Sequence, residues 1–196
     1  MKRIGIYGGT FNPVHIAHLI TAEEVSEQMQ LKKVLFIPSA HHPLKNEDAI
    51  IDANTRLEML NIAIAGNDKF ESSDIEIGQN KDKSYTVNTL IRLREKYKDE
   101  QVKFYLIIGM DNFAELHKWK DPEKLFMLSE VIVINRPGFF AKDIVNDYSR
   151  QVTYVPVTNI DISSTEIRSR VRENRSIKYL VSAEVEKFIL QNKLYK

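Results

Sequence analysis

Apolar residues occur along this chain in two alternating arrangements. Short runs that are apolar almost throughout, as in buried strands, alternate with stretches in which apolar residues recur every three or four positions, as in amphipathic helices. The predicted strands are residues 3–7, 33–38, 104–109, 131–135 and 151–157, with 70–77 as an additional strand nearer an edge. Because strands that are apolar on both sides are buried on both sides, this pattern predicts a parallel sheet covered by helices on both faces.

Helical spacing of apolar residues follows each of the first two predicted strands and precedes the third. The residues that carry it are Ala22, Val25 and Met29, then Leu57, Leu60 and Ile64, then Val87, Leu90, Leu93 and Tyr97. Two further helices are predicted at residues 164–174 and 182–191, whereas residues 138–151 have no clear period and predict a loop or a short helix. We therefore predict a doubly wound α/β fold with a mostly parallel sheet, formed as a single domain over residues 1–196 with a helical C-terminal end.

Composition narrows the classes of function. The 28 basic and 27 acidic residues give a net charge of +1, so no overall charge attracts nucleic acid or an anionic membrane. The absence of cysteine excludes disulfides, thiolate metal sites and a cysteine nucleophile, and it fits a reducing compartment. The apolar runs are too short to span a bilayer, and glycines interrupt the apolar stretch that a secretory signal would need. We expect a cytoplasmic protein with no nucleic-acid or membrane partner, in which any anion binding is local.

The segment GGTFNPVHIAH follows the first predicted strand, at the edge of the sheet where open α/β folds bind ligands. Gly8 and Gly9 allow the backbone to turn sharply and to approach a ligand closely. Asn12 is a good N-cap and Pro13 suits a first helical turn, so a helix is predicted to begin near residue 13. The free N–H groups and the macrodipole of that helix favour an anion.

Two histidines belong to this predicted anion site. His15 and His18 are three residues apart, which places them on one face of the predicted helix, where they can donate hydrogen bonds to phosphate oxygens. Residues 1–22 contain no Asp or Glu. The glycine spacing fits neither a dinucleotide fingerprint nor a P-loop, and zinc would need a third ligand. Taken alone, the segment also fits a glycine turn with one packed and one exposed histidine.

The segment ISSTEIR follows the last predicted strand. Ser163 or Ser164 can cap the helix that begins there, and the hydroxyl groups together with Arg168 form another helix start that suits an anion. By itself this segment favours an ordinary capped helix over an anion site. Its meaning depends on whether it acts together with the first segment.

The two segments as a pair resemble the two signatures of the nucleotidyltransferase superfamily, H-x-G-H and Ser-x-Thr-x-x-Arg, which implies a Rossmann-like nucleotidyltransferase fold. SYTVNTL, IIGMDNFAELHKWK and INRPG also match, in order, the bacterial nicotinate-nucleotide adenylyltransferase family, so the resemblance runs nearly end to end. Ala17 stands where the superfamily commonly has Gly, and Asn88 where this branch often has Asp. Because alanine is small, we expect the phosphate site to tolerate Ala17.

The resemblance implies transfer of an adenylyl group from ATP to the phosphate of nicotinate mononucleotide, in NAD biosynthesis. The residues are compatible with this reaction, because a phosphate monoester with a second pKa of about 6 is already ionised and needs no general base. Magnesium is expected to arrive with ATP, since no cluster of carboxylates resembles a dedicated site. A homo-oligomer is left open.

The resemblance also implies three groups of site residues and no metal ligand. The catalytic group, which stabilises charge on the phosphates, is His15, His18 and Arg168. The ATP-binding group is Gly8, Gly9, Thr10, Phe11, Gly109, Asp111, Ser163, Ser164 and Thr165, in which Asp111 is expected to meet the ribose. The acceptor-binding group is Lys45, Tyr85, Thr86, Trp119 and Arg136, with Trp119 expected against the pyridine ring. For Asp111 a simple helix cap and for Lys45 a solvated loop lysine are the alternatives.

Three rival functions remain at this point. Phosphopantetheine adenylyltransferases share the superfamily signatures but act on another phosphate monoester. A catalytically silent nucleotide-binding protein would keep the fold, although the intact His15, His18, Thr165 and Arg168 argue against it. A zinc hydrolase that uses the histidine pair lacks further ligands at convincing spacing.

Overall fold

Six strands form one sheet in the computed structural model, which describes residues 1–40, 50–78, 84–136, 138 and 147–196. The strands are β1 (Lys2–Gly9), β2 (Lys33–Pro38), β3 (Phe70–Ser72), β4 (Val102–Gly109), β5 (Glu130–Ile134) and β6 (Val152–Val155). All five neighbouring pairs are parallel, in the order β3-β2-β1-β4-β5-β6. This is the order of a doubly wound sheet, so the predicted fold class is confirmed.

Seven helices lie between or after these strands in the described part of the chain. They are α1 (Ile16–Gln28), α2 (Ala53–Ile64), α3 (Thr86–Lys96), α4 (Met110–Ala114), α5 (Pro122–Leu128), α6 (Ser164–Arg172) and α7 (Ala183–Gln191). The sequence did not predict α4 and α5, which are short and connect β4 to β5. Among the described residues, no helix has the length and apolarity that a membrane crossing requires.

The sheet separates two apolar cores, because successive residues of a strand face opposite sides. On β4, Tyr105 and Ile107 belong to the core beneath α1, α2, α6 and α7, whereas Phe104 and Leu106 belong to the core beneath α3, α4 and α5. Strands that are buried on both faces explain why the apolar runs in the sequence are nearly continuous. The helices thus cover both faces, as the pattern predicted.

The two edge strands are shorter than predicted. The additional strand predicted over 70–77 pairs with β2 only at Phe70–Ser72, because the chain then folds into a turn in which Ile77 N donates to Asp74 O at 2.7 Å. β6 ends before Pro156, which has no N–H to donate to a ladder. Most of the loop predicted over 138–151 lies outside the described residues.

The predicted beginning of the first helix was wrong. α1 begins directly after His15, which is its N-cap, and not near Pro13. Asn12 does not act as the cap because its side-chain oxygen is used elsewhere: it accepts from Ile51 N at 3.3 Å and from the Tyr195 hydroxyl at 3.0 Å. The residues from the end of β1 to His15 therefore form a loop, held by contacts that are distant in sequence.

The prediction that Gly8 and Gly9 make the sharp turn was also wrong, since both residues belong to β1 and pair with β2. The turn falls at Phe11, whose φ of 47° lies in the left-handed region. A Cβ atom at Gly9 would lie 2.9 Å from the Phe11 ring, so glycine is needed there for the close approach of that ring. Gly8 faces open space, because nothing lies within 4 Å of a Cβ placed there.

Candidate functional site

The chain order of the sheet reverses between β1 and β4, and the crevice beyond their carboxyl ends is where open α/β sheets bind ligands. β1 ends at Gly9 and β4 ends at Gly109, so the segments that follow them border the same crevice. α1 and α4 begin on either side of it. The candidate site is therefore the edge of the sheet that the sequence predicted.

The two sequence segments that resemble superfamily signatures contact each other directly. Arg168 Nη1 donates to the carbonyl oxygen of Asn12 at 2.9 Å, and the Ser164 hydroxyl donates to the carbonyl oxygen of Pro13 at 2.8 Å. Both donors belong to the first two turns of α6, and both acceptors belong to the loop after β1. Two peptide groups of that loop are thus fixed by a helix about 150 residues later.

The start of α6 has the features of an anion site. Ser163 is its N-cap and accepts from Glu166 N at 3.1 Å, as the sequence predicted for Ser163 or Ser164. Arg168 Nη2 donates to Thr165 Oγ1 at 3.3 Å, while Arg168 Nε is buried without a partner among the described residues. Burial lowers the pKa of Arg168, but a guanidinium remains charged at neutral pH. A partly buried cation with an unused N–H group therefore adjoins the amides of this helix start.

The two histidines are stacked and not merely on one helix face. Their ring centroids are 3.6 Å apart, and the backbone N–H of His15 donates to His18 Nδ1 at 3.2 Å. Since Nδ1 accepts this hydrogen bond, the proton of the neutral His18 ring is on Nε2. The Phe11 ring packs edge-on against His18, with centroids 5.0 Å apart. Backbone and aromatic contacts thus fix both the tautomer and the orientation of His18.

His15 is uncharged at neutral pH. The residue is only 7% exposed, and burial, with a smaller contribution from Arg136, lowers its pKa to about 4. His15 Nδ1 is buried and has no partner among the described residues. For His15 the structure therefore favours a neutral hydrogen-bonding group. Arg168 supplies a positive charge on this side of the crevice.

Asp111 and Arg136 form an ion pair at the end of β4, with Oδ2 and Nη1 2.8 Å apart. The other carboxylate oxygen, Oδ1, is buried and has no partner among the described residues. Gly109 allows this arrangement, because a Cβ there would lie 2.5 Å from Oδ1. Gly109 and not Asp111 is the N-cap of α4, and the helix has no side-chain cap, so the alternative that Asp111 only caps a helix is wrong.

Three of the predicted acceptor-binding residues lie together. Tyr85 is the N-cap of α3, Thr86 is its first residue, and no acidic residue occupies the first turn. Trp119 is half-buried after a 3₁₀ turn and packs, like Tyr85, at the border of the core beneath α3. The Lys120 ammonium lies 4.8 Å from the centre of the Tyr85 ring. An aromatic ring, a helix start and a cation therefore adjoin one another.

The remaining predicted residues differ in what they can contribute. Phe11 is 2% exposed, so its ring is not available to a ligand. The carbonyl oxygen of Thr10 accepts from Arg56 at 2.6 Å and is therefore not available to a ligand. Arg136 is half-exposed and paired with Asp111. Lys45 lies outside the described residues.

Arg56 is a site-forming residue that the sequence analysis missed. It is 1% exposed and donates to three carbonyl oxygens, of Thr10 at 2.6 Å, Ser39 at 2.6 Å and Ile51 at 2.8 Å. One side chain thus ties the loop after β1 to the residue that follows β2 and to the residue before the α2 cap. The sequence did contain an indication of this role. Arg56 precedes the buried Met59 and Leu60 by three and four positions, which places it on the buried face of α2.

Comparisons with known proteins agree with this geometry. Residues 6–170 match a family model described as cytidylyltransferase-like. A probable nicotinate-nucleotide adenylyltransferase of Desulfitobacterium hafniense (strain Y51) is 40% identical over 202 residues, covering 100% of this chain and 96% of its own length. One from Caldicellulosiruptor saccharolyticus is 38% identical over 99% of both chains.

Solved structures show the same fold. Plasmodium falciparum nicotinic acid mononucleotide adenylyltransferase, solved in complex with NaAD, superposes with a TM-score of 0.79 at 22% identity, over 100% of this chain and 98% of its own. A putative nicotinate-nucleotide adenylyltransferase from Vibrio parahaemolyticus superposes with a TM-score of 0.73 at 23% identity, over 100% and 96%.

We expect Arg56→Met to lower the free energy of unfolding by about 3 kcal/mol or more, because three buried carbonyl oxygens lose a charged donor. Urea unfolding followed by circular dichroism measures this change. Arg94→Met is the matched control, since Arg94 also donates to a carbonyl oxygen, that of Leu128, but from an exposed position. Equal losses in the two variants would contradict a special role for Arg56.

The lowered pKa of His15 predicts a pH dependence of stability. Between about pH 6.5 and 4 the unfolded chain binds a proton at this residue that the folded chain does not, so stability falls as pH falls through that range. His15→Gln removes this contribution, and we expect a shallower loss of stability in that range than in the wild type. Urea midpoints at several pH values measure it, with the exposed His117→Gln as control. Parallel curves for the wild type and His15→Gln would refute the assignment.

Proposed function

We propose, from the premise that this chain belongs to the nicotinate-nucleotide adenylyltransferase family, that it transfers the adenylyl group of ATP to the phosphate of nicotinate mononucleotide. The products are nicotinate adenine dinucleotide and pyrophosphate. The observation that carries the proposal is the direct contact of the two signature segments, through Arg168 and Asn12 and through Ser164 and Pro13. This contact gives one crevice two helix starts and a guanidinium, which suit a polyphosphate.

The proposed reaction requires positioning of the two substrates and stabilisation of charge on the phosphates, but it requires no general base. An oxygen of the acceptor phosphate, already ionised at neutral pH, attacks the α-phosphorus of ATP. The new bond joins that oxygen to the α-phosphorus, the bond to the β-phosphate oxygen breaks, and its electron pair leaves with pyrophosphate. In-line alignment and donors for the phosphoryl oxygens are the contributions that a protein can make to such a step.

On the ATP side, His18 and Arg168 are the proposed phosphate donors. The Nε2–H of His18 is fixed by the hydrogen bond at Nδ1, and the Nε–H of Arg168 is buried without a partner among the described residues. The amides at the start of α6, over Ser163 to Thr165, add donors without adding charge. Asp111 Oδ1 suits a ribose hydroxyl, because it is a buried acceptor to which no described residue donates.

On the acceptor side, Trp119 and the start of α3 are the proposed contacts. An indole ring can stack on a pyridine ring. The amides of Tyr85 and Thr86, with no acid in that first turn, favour a carboxylate and so distinguish nicotinate from nicotinamide. Arg136 and Lys45 stay predicted contacts of the acceptor.

Magnesium enters the proposal as part of the ATP substrate. Among the described residues, no group of three or more His, Cys, Asp and Glu side chains could hold a metal ion. Phosphate oxygens of ATP and water molecules would supply most of its ligands, as is common for Mg²⁺ in phosphoryl transfer. The cytoplasmic location remains a prediction, and a homo-oligomer remains open.

A pyrophosphate-release assay tests the function directly. The protein is given MgATP together with nicotinate mononucleotide, its nicotinamide counterpart or phosphopantetheine, in parallel. We expect the highest kcat/KM with nicotinate mononucleotide. Preference for phosphopantetheine would replace the proposal by the rival adenylyltransferase, and no turnover with any acceptor would favour a silent nucleotide-binding protein.

His18→Ala tests the proposed mechanism. Removing a donor that acts on charge developing in the transition state costs about 10²- to 10³-fold in kcat in comparable sites. We expect a loss of that size in pyrophosphate release, with the melting temperature little changed. His117→Ala, which removes an exposed histidine of the 3₁₀ turn, is the control. Turnover within threefold of the wild type would contradict the role of His18.

A further inference from the structure

We propose that Tyr195 is a positioning residue for Arg168, and that it acts through Asn12. The proposal rests on the proposed function, because its consequence is an effect on the adenylyl-transfer step. Tyr195 belongs to the segment that follows α7, and neither signature segment includes it. The segment after α7 would thus help to position a side chain that binds the phosphates of ATP.

Asn12 carries two contacts that link the two residues. The Tyr195 hydroxyl donates to the side-chain oxygen of Asn12 at 3.0 Å, and Arg168 Nη1 donates to the main-chain oxygen of the same residue at 2.9 Å. Asn12 is 3% exposed, so water does not readily replace either donor. A displacement of the Asn12 side chain therefore moves the carbonyl that orients the guanidinium.

The chemical state of Tyr195 suits this role. Burial raises the pKa of its hydroxyl, although Arg168 and Arg56 lower it, and the phenol thus stays protonated and remains a donor. The neutral phenol lies near two cations, so its contribution to the site is the direction of a hydrogen bond and not a charge. This distinguishes a positioning residue from one that binds phosphate.

The backbone after α7 reverses so that this contact can form. Lys193 and Tyr195 have φ values of 51° and 65°, in the left-handed region that residues other than glycine seldom adopt. Leu194 N donates to Ile189 O at 3.0 Å, and both Leu194 and Tyr195 pack against the core beneath α1 and α2. A chain held in two unfavourable conformations is maintained by its contacts. One of these contacts is the hydrogen bond that the Tyr195 hydroxyl donates to Asn12.

Loss of the hydroxyl is expected to affect ATP and not the acceptor. The proposed acceptor contacts, Tyr85, Thr86 and Trp119, lie on the other face of the sheet, against the core beneath α3. Asn12 keeps its hydrogen bond from Ile51 N when the phenol oxygen is removed, so the loop keeps its fold but not its fixed orientation. The guanidinium of Arg168 then samples orientations that do not suit the phosphates.

A double-mutant cycle tests the proposal with four enzymes: wild type, Tyr195→Phe, Arg168→Lys and the double variant. We expect Tyr195→Phe to lower kcat/KM for ATP by about two- to tenfold, as for loss of one buried hydrogen bond, with the acceptor KM unchanged. In the Arg168→Lys background the same change should cost less than a factor of about 1.5, because the group that Tyr195 positions is already absent. Tyr179→Phe, at a tyrosine that is 79% exposed, should leave all constants unchanged.

Calorimetric titration of ATP, together with the melting temperature of each variant, separates the two proposals. Losses that multiply across the cycle, or a Tyr195→Phe enzyme equal to the wild type, would overturn the positioning role while leaving the proposed function intact. Coupled losses in ATP affinity, in a protein that does not use nicotinate mononucleotide, would support the positioning role and refute the function. If Arg168→Lys lowers the melting temperature by more than a few degrees, the cycle is repeated with Arg168→Gln.

Discussion

Two hydrogen bonds from α6 to the loop after β1 are the constraint on which the candidate site depends. The Arg168 guanidinium and the Ser164 hydroxyl hold the carbonyl oxygens of Asn12 and Pro13. Without them, a strand end and a distant helix start would be two separate weak anion sites. With them, both donors and the histidine pair of α1 border one crevice, beyond the carboxyl ends of β1 and β4 where the sheet order reverses.

The guanidinium groups of two arginines near this crevice are held by neutral oxygen atoms. Arg56 and Arg168 are bound by carbonyl and hydroxyl oxygens, and among the described residues neither has a carboxylate within ion-pair distance. Arg170 and Arg175, farther along α6 and beyond it, pair with Glu166, and Arg170 is partly exposed while Arg175 is exposed to solvent. Carbonyl dipoles compensate the desolvation of a guanidinium without cancelling its charge. A protein whose net charge is only +1 can therefore offer a local positive potential to a polyphosphate.

Much of the fold followed from the sequence, because burial on both faces of the sheet gives nearly continuous apolar strands. The weaker predictions concern features set by distant contacts. Asn12 was predicted to cap α1, but the hydroxyl of Tyr195 engages its side chain, and local preferences do not indicate such a contact. The glycines of β1 were assigned a turn that Phe11 makes instead. β3 is short because the chain enters a turn at Asp74–Ile77, after Ser73 N donates a last hydrogen bond to Phe36 O of β2.

For the site, residue types and spacing indicated which side chains converge but not their charge or orientation. The neutral state of His15 follows from its burial, and the tautomer of His18 from a backbone N–H, and neither is visible in a motif. Arg56 was missed because an arginine within a helix is ordinarily read as solvated, although its spacing to Met59 and Leu60 placed it on the buried face.

If the two signature segments form one site, they bind a single polyphosphate together. A crystal structure of the protein with a non-hydrolysable ATP analogue decides this. We expect His18 Nε2 and Arg168 to contact oxygens of the same triphosphate, with a ribose hydroxyl on Asp111 Oδ1. A triphosphate that contacts only one of the two segments, with Arg168 still bound to Asn12 and turned away from the triphosphate, would refute a shared site.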